Sequence, residues 1–343
     1  MTLDTVFNKS FQDYKKNFKI TALAAMLFRL LPMLIIVPLI FLLFNIPYIN
    51  LTADFVEQAN QIVSTFNYTE TSEMSLASLT GSAISEETIT SEIISYIRQT
   101  LILFSKAIPF YILLWILGLI FTIILFYSGF NNKDGKLKFG DALRKSMHYF
   151  WKFLLFVILL YVIWFLLIIG LIAVSFLLAI TIVGIFLIPF LIIGFLVLVV
   201  YLIVIWGFAV YFIFDECCGV FESLGKSKEL VKGNFWRVLG YILLMALILI
   251  AAALILWLIS FLITLPFGFD IYSEVALMTD FNKTQYVELM TQQMLVETVS
   301  NYIINVIAAL TTVPFMIFYF KNLYQELKEE KKKKTKQEKR KSN

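Results

Sequence analysis

Residues with the chemistry of a phosphate-binding loop occur between Gly219 and Ser227. The run Gly-Val-Phe-Glu-Ser-Leu-Gly-Lys-Ser ends in the Gly-Lys-Ser with which P-loops hold the phosphates of a nucleotide. Five residues separate its two glycines, where the motif has four, and the run has the pattern of an amphipathic helix rather than of a strand-to-helix turn. The spacing therefore argues against an ATPase.

His148 is the only histidine, and Cys217 and Cys218 are the only cysteines. A histidine that acts as a general base needs an orienting partner and a nucleophile within hydrogen-bond reach, and the sequence offers no such set. No metal-ligand spacing is present, and the adjacent cysteines are either ordinary interfacial residues or sites of lipidation. The sequence therefore predicts a protein that is not an enzyme and that has no cofactor or metal.

Arg29 is the one charged residue well inside an apolar stretch, about ten residues beyond Lys19, or about 15 Å along a helix. A charge at that depth costs several kcal/mol unless it snorkels, pairs or faces water, so Arg29 is a candidate ligand contact. No acidic residue lies within any of the apolar stretches to pair with it. Snorkelling toward the headgroups and a ligand or pore role are equal alternatives.

The elements that carry these residues follow from the composition. Of 343 residues, 60% are hydrophobic and 15% are charged, whereas a soluble domain has about a quarter of its residues charged. Apolar stretches of the about 20 residues that cross a hydrocarbon core lie at 20–46, 101–127, 153–178, 182–214, 238–264 and 299–320. The run from 153 to 214 is too long for one helix, and we place a tight external turn near Thr181 to Gly184.

The distribution of lysine and arginine predicts the orientation, because positive charges are retained on the cytoplasmic side. With the N-terminus inside, that side holds four basic residues in 1–19, six in 130–152, four in 215–237 and ten in 321–343. The external loops, 47–100 and 265–298, carry twelve acidic residues and two basic ones. We therefore expect a multi-pass protein of the cell membrane with both termini in the cytoplasm.

The first external loop is rich in Ser, Thr and Glu from Asn50 to Ser95 and has no lysine there. This composition predicts a weakly structured segment. Asn50, Asn67 and Asn282 each begin an Asn-x-Thr triplet on a predicted external loop, so all three are candidate glycosylation sites. The sequence does not decide whether they are used.

Three basic segments with the spacing of amphipathic helices each precede a pair of spans. In the first, apolar side chains recur three or four residues apart: Leu3, Val6, Phe7, Phe11, Tyr14 and Phe18. The first and third segments match at identical spacing: Lys9, Ser10, Lys15, Asn17 and Phe18 with Lys226, Ser227, Lys232, Asn234 and Phe235. Lys145-Ser146 is a weaker middle copy. The pattern predicts repeats about an axis along the membrane normal, although independent convergence of basic amphipathic helices would look the same.

These repeats divide the chain into four parts: repeat 1 at 1–129, repeat 2 at 130–214, repeat 3 at 215–322 and a polybasic cytoplasmic tail at 323–343. In the tail, four consecutive lysines begin at Lys331. Such a run binds anionic headgroups at about 1 kcal/mol per basic residue near the surface, or acts only as a topology anchor; the two roles are compatible.

The stretch from Phe221 to Gly240, with Asn-Phe-Trp-Arg-Val-Leu-Gly at the head of a span, resembles a pattern in uncharacterised six-span prokaryotic membrane proteins. These are similar to the membrane domain fused to some glycerophosphoryl diester phosphodiesterases, and the segment 318–324 resembles their closing segment. The resemblance implies the six-span layout. No catalytic residue carries over, because those enzymes use a soluble barrel with paired histidines and acidic metal ligands, and this chain has one histidine.

We therefore predict an all-α, polytopic membrane helical bundle with about six transmembrane helices, three cytoplasmic interfacial amphipathic helices and a threefold internal repeat. Its expected function is to bind lipids, anionic lipids among them, or a membrane-protein partner, through its basic cytoplasmic face. That partner could also be a second copy of this chain. We expect no nucleic-acid partner. The alternative is a small transporter or exporter subunit for an anionic or amphipathic substrate. The candidate contact residues are Arg29, Lys145, Lys226, Lys232, Arg237, Lys331, Lys332, Lys333 and Lys334.

Overall fold

The computed structural model describes residues 3–71, 86–132, 134–277 and 282–342. Within these ranges every regular element is helical and no strand occurs. Six helical stretches in them are long and apolar enough to cross a membrane: Asp4–Gln58, Ile93–Asn131, Phe139–Ala179, Gly184–Glu216, Phe235–Leu265 and Lys283–Gln337. The predicted all-α chain with six candidate spans is confirmed at this level.

The N-terminal residues form one uninterrupted helical run. Helices α1 (Leu3–Ala25), α2 (Leu31–Ile40) and α3 (Ile46–Thr71) are joined by two π-helical segments, Met26–Leu30 and Phe41–Asn45. Pro32 follows the first of these segments, and a proline ring cannot accept the close approach of the carbonyl four residues before it. A wider π-helical turn ahead of Pro32 relieves that clash.

The remaining helices follow in chain order with short connections. Helix α4 is Glu86–Asn131, α5 is Phe139–Ser146, and a 3-10 turn at Met147–Tyr149 leads into α6 (Phe150–Ala179). Then come α7 (Ile182–Trp206), α8 (Ala209–Glu216), α9 (Val220–Val231), α10 (Phe235–Leu277), α11 (Lys283–Leu310) and α12 (Thr312–Ser342).

The predicted turn in the longest apolar run is confirmed, since α6 ends at Ala179 and α7 begins at Ile182. Thr181 caps α7, its hydroxyl accepting a hydrogen bond of 3.0 Å from the Gly184 amide. Gly184 is required at this turn because a Cβ there would overlap the carbonyl oxygen of Leu178.

The two predicted external loops are almost entirely helical where the structure describes them, so the expectation of a weakly structured segment from Asn50 to Ser95 is wrong for those residues. Helix α3 runs on to Thr71 and α4 begins at Glu86, while residues 72–85 lie outside the described ranges. A helix that has already formed gains one hydrogen bond with each residue added, without a new nucleation cost. A hydropathy profile does not predict this extension of a helix beyond its apolar residues. With 46 residues, α4 is about 69 Å long, more than twice the about 30 Å of a hydrocarbon core.

The three basic amphipathic segments differ in how they join their spans. The third is the separate helix α9, followed by Gly233 at φ 83°, a left-handed conformation that glycine adopts without strain. The aligned residue in the first segment is Lys16, and there the helix continues unbroken into α2. A separate interfacial helix is therefore wrong for the first segment, and the residue types at this aligned position explain the difference.

The chain divides into two compact units, and each has its own interior. Unit 1 comprises residues 1–28, 118–253 and 307–343, and its core is rich in aromatic rings, such as the stacked Phe126 and Phe214, whose ring centroids are 5.2 Å apart. Unit 2 comprises residues 29–117 and 254–306, and within it the hydroxyls of Ser260 and Ser300 are 2.7 Å apart.

Charge segregates between the two units. All four basic segments, 1–19, 130–152, 215–237 and 321–343, belong to unit 1, whereas both acidic loops, 47–100 and 265–298, belong to unit 2. The packing of each half therefore groups charges that are distant in sequence.

Candidate functional site

Helix α12 is anchored in unit 1 by a buried polar cluster with α1. The Lys321 ammonium lies 2.6 Å from the Asp13 carboxylate, and the Lys321 side chain is 8% exposed. Asn322 donates to Asp13 at 3.1 Å and to the Ser10 hydroxyl at 3.3 Å. A buried lysine needs such a partner, because an unpaired charge in the interior is costly. The cluster fixes α12 against the N-terminal helix.

One turn further along α12, a second cluster joins this helix to the end of α8. The Tyr324 hydroxyl donates to Asp215 at 2.7 Å, and the Lys328 ammonium lies 2.5 Å from Asp215 and 2.6 Å from Glu216. Asp215 and Glu216 stand directly after the apolar residues of the fourth candidate span. Their carboxylates hold α12 close to the point where that span ends.

Lys226 extends this cluster onto α9, where it lies 2.8 Å from Glu216 and 2.7 Å from Glu222. The hydrogen bond to Glu216, and to a lesser extent the one to Glu222, raises the pKa of the Lys226 ammonium. The hydrogen bond from Lys226 in turn lowers the pKa of the Glu222 carboxyl. Both groups therefore stay charged at neutral pH. Of the predicted contact residues, Lys226 is thus engaged within the protein.

Two further predicted contact residues also form ion pairs that reach α12. The Arg237 guanidinium donates to both oxygens of Glu330, at 2.9 and 3.2 Å, in the paired geometry that favours arginine over lysine. Lys331 lies 3.7 Å from the Glu229 carboxylate and donates to the Glu229 carbonyl at 3.1 Å. These side chains position helices before they meet any ligand.

The remaining predicted contacts fall into two groups. Exposed side chains, each in unit 1, are Lys145, Lys232, Lys332, Lys333 and Lys334. Arg29 is half-buried in the π-helical segment Met26–Leu30 and belongs to unit 2. The sequence grouped all nine residues, whereas the structure places eight of them in unit 1 and Arg29 in unit 2.

The turn between α8 and α9 is held by the start of α6. Cys217 has a φ of 56°, its carbonyl accepts from the Lys152 ammonium at 2.7 Å, and its sulfur lies 3.1 Å from the Tyr149 hydroxyl. Cys218 is buried, and burial raises the pKa of its thiol, which lowers its reactivity.

A groove of about 470 Å³ opens between α9 and the outer part of α12, and it is called the α9–α12 groove below. Its floor is apolar, formed by Phe212 and Leu230. Its polar lining consists of Glu216, Lys226, Glu229, Lys328, Lys331, Lys332, Thr335 and Lys336. Sequence reasoning missed Lys328 and Lys336 as members of this site, although their spacing from Lys332 is that of one helix face.

Unit 2 contains a second hollow, of about 480 Å³, between α3 and α4. The carboxylates of Asp54 and Glu57 line it, together with Tyr96, whose ring stacks on Phe55 with centroids 4.6 Å apart. Lys283 pairs with both carboxylates, so their charge is partly neutralised within the unit.

Among the described residues, Lys331 to Lys334 and Lys336 of α12, beside the α9–α12 groove, form a group of exposed ammonium groups. Ammonium groups on a helix that leaves an apolar bundle attract anions, and phosphate groups foremost, by charge-assisted hydrogen bonds. No protein-family model matches this chain, and no curated protein and no solved structure matches it either.

Proposed function

We propose that this chain is a non-enzymatic multi-pass membrane protein whose basic face binds anionic lipid headgroups. The observation that carries the proposal is the exposed run from Lys332 to Lys334 on helix α12. The earlier part of this helix is buried in unit 1, for example at Tyr319 and Tyr324. Near an anionic membrane each such lysine contributes about 1 kcal/mol. A membrane-protein partner with an acidic surface is the other occupant of this face, and the experiment below separates the two.

The proposal includes an orientation in the cell membrane with both termini in the cytoplasm. It is supported by the segregation of charge between the units, because the positive-inside rule concerns lysine and arginine near the ends of spans. A fluorescent reporter fused after Asn343 and the same reporter inserted at Thr181 test it. Fluorescence of the C-terminal fusion alone is expected from a reporter that folds only in the cytoplasm.

We also propose that the three basic segments descend from one repeated unit, interfacial in the second and third copies. Support comes from the aligned serines Ser10, Ser146 and Ser227, each fully buried, whereas the lysines before them face outward to different degrees. All three serine hydroxyls donate to backbone carbonyls. A common repeated unit explains why all three segments have a buried serine at the same aligned position. Independent convergence of amphipathic helices would not require it. Membership in the six-span group that the segment 221–240 resembles is part of the same proposal.

Lipid preference in a bilayer tests the function directly. The protein is reconstituted into vesicles of phosphatidylcholine and phosphatidylglycerol, one or the other brominated, and quenching of tryptophan fluorescence reports which lipid contacts it. Trp151 and Trp236 are 75% and 80% exposed and begin spans beside the basic segments. We expect a preference for phosphatidylglycerol that weakens as salt is raised, because exposed charges are screened.

The matched variants replace Lys332, Lys333 and Lys334 together, by glutamine in one protein and by arginine in the other. The glutamine variant is expected to lose lipid preference, by at most about 3 kcal/mol for three charges, and the arginine variant to keep it. Equal preference in wild type and both variants contradicts lipid binding by this face, and leaves an acidic partner protein as its occupant.

A transporter or exporter subunit is the second candidate function, and the surroundings of Arg29 favour it. This residue lies in a π-helical segment within the first candidate span, and π-helical turns occur often at functional sites. A half-buried guanidinium there would attract an anionic substrate. Uptake of radiolabelled glycerol phosphate into proteoliposomes, compared between wild type and Arg29→Ala, tests this candidate.

A further inference from the structure

The lysines of α12 that line the α9–α12 groove share one face of the helix. The lining residues are Lys328, Lys331, Lys332, Thr335 and Lys336, spaced as side chains that stack along an α-helix. Lys333 and Lys334 turn by about 100° per residue away from this face. Within the polybasic segment, Lys331, Lys332 and Lys336 therefore line the groove, whereas Lys333 and Lys334 lie outside it.

The lining of the groove is positive even after its internal ion pairs are counted. Five lysines and two glutamates line it, which leaves a net charge of +3. Asp215 and Glu222 pair with lining lysines from outside the groove, and with both included the net charge is still +1. Among the described side chains, neither Lys332 nor Lys336 forms an ion pair. Two ammonium groups are thus available to a ligand.

The floor of the groove suits an amphiphile. Phe212 and Leu230 are 5% and 3% exposed, and the Lys328 ammonium lies 5.8 Å from the centroid of the Phe212 ring. Helix α8 ends at Glu216, where the fourth candidate span also ends, so the groove adjoins the end of that candidate span. Its volume of about 470 Å³ is within the usual range for small-ligand sites.

We propose that the α9–α12 groove is a binding site for a phosphate group, presented by an anionic phospholipid headgroup or by a soluble phosphate ester. Lys332 and Lys336 donate to the phosphate oxygens, and the lysines already paired with Glu216 and Glu229 add to the positive field. The inference rests on the proposed function and deepens it. The basic face as a whole attracts anions by its charge, whereas the groove is a single site that binds one phosphate group.

The experiment uses the full chain in a non-ionic detergent, where no charged bilayer surface contributes to binding. Phosphatidylglycerol is titrated in and the bound lipid is counted by native mass spectrometry. The test variant is Lys332→Gln with Lys336→Gln, and the matched control is Lys333→Gln with Lys334→Gln, which removes the same charge from the same helix. All four side chains are exposed, and circular dichroism verifies that both variants keep their helix content.

Wild type is expected to retain one phosphatidylglycerol. The control variant is expected to keep this lipid with a much smaller loss of affinity than the test variant, because Lys333 and Lys334 do not line the groove and their attraction to a charged bilayer is absent in detergent. The test variant is expected to bind roughly 100-fold more weakly, at about tenfold for each charge-assisted hydrogen bond that is lost. Equal weakening in both variants, or an unchanged affinity in the test variant, overturns the site. So does a wild type that retains no phosphatidylglycerol.

Competition with glycerol 1-phosphate separates the two sources of the phosphate. Displacement of the lipid at equal affinity identifies a soluble ester as sufficient, whereas retention of the lipid identifies the headgroup with its apolar anchor. Failure of the inference remains distinct from failure of the proposed function. If the bilayer preference for phosphatidylglycerol persists while the two double variants behave alike in detergent, only the groove is refuted.

Discussion

Replacing Asp13 by asparagine tests how α12 is anchored. Asparagine has the same shape and still accepts a hydrogen bond from Asn322, so the substitution removes mainly the negative charge that faces Lys321. With the Lys321 side chain only 8% exposed, its ammonium is left nearly buried without a counter-charge. Breaking a buried pair in this way costs about 3–5 kcal/mol, and we expect about 3 kcal/mol because the Asp13 side chain retains 20% exposure.

The control is an ion pair between the same two helices at the surface. Lys9 and Glu326 are 2.5 Å apart, but the Lys9 side chain is 56% exposed. Glu326→Gln should therefore cost less than about 1 kcal/mol. The double variant Asp13→Asn with Lys321→Met removes both charges and should recover most of the loss, since a buried pair replaced by neutral groups is often close to neutral in stability.

Titration of the purified protein with sodium dodecyl sulfate, followed by tryptophan fluorescence, measures the free energy of unfolding of each variant. The coupling energy follows from the four proteins of the Asp13 and Lys321 cycle. If Asp13→Asn and Glu326→Gln lower the free energy of unfolding by the same amount, burial does not set the strength of these pairs. The assignment of Asp13 as the anchor of α12 would then be wrong.

Three further substitutions give separate expectations. Gly184→Ala should destabilise the α6–α7 turn by about 1–3 kcal/mol, because its Cβ overlaps the Leu178 carbonyl; faster hydrogen exchange confined to residues 178–186 checks this, and unchanged exchange contradicts it. Tyr324→Phe removes a hydrogen bond to a carboxylate, that of Asp215, and should cost about 1.5–3 kcal/mol in the same detergent titration. Arg29→Ala should abolish any small anion, other than the phosphatidylglycerol of the α9–α12 groove, that the wild type retains in native mass spectrometry, whereas retention of that anion by both proteins would favour a snorkelling arginine.

Hydropathy predicts the spans and the Thr181 turn because transfer of apolar residues into lipid is a property of each residue and its near neighbours. Helix continuity is different, since it depends on single positions. Lys16 keeps the first basic segment in line with its span, and glycine at the aligned position 233 breaks the third. The difference between Lys16 and Gly233 can be seen in the sequence once the two segments are aligned. A moving average of hydropathy does not detect it.

The anchoring of α12 could not be read from the sequence. Asp13 and Lys321 are 308 residues apart, and each looks like one of many charges near the end of a span. Only the packing of α1 against α12 makes them partners, because exposed charges of the same kinds contribute little. The same is true of Arg237 and Glu330, so three-dimensional pairing, rather than charge counts, decides which basic residues remain open to a ligand.

The helical continuity of α12 has a consequence for the entropy of binding. A flexible tail that closes on a ligand loses about 1–2 kcal/mol of backbone conformational freedom for every residue that becomes ordered. In α12 the helix runs from Thr312 to Ser342 without a break, so the order of Lys332 and Lys336 is already established by folding. An anion that meets them has only the side chains to immobilise, and two or three ammonium groups then suffice where a disordered tail would need many more.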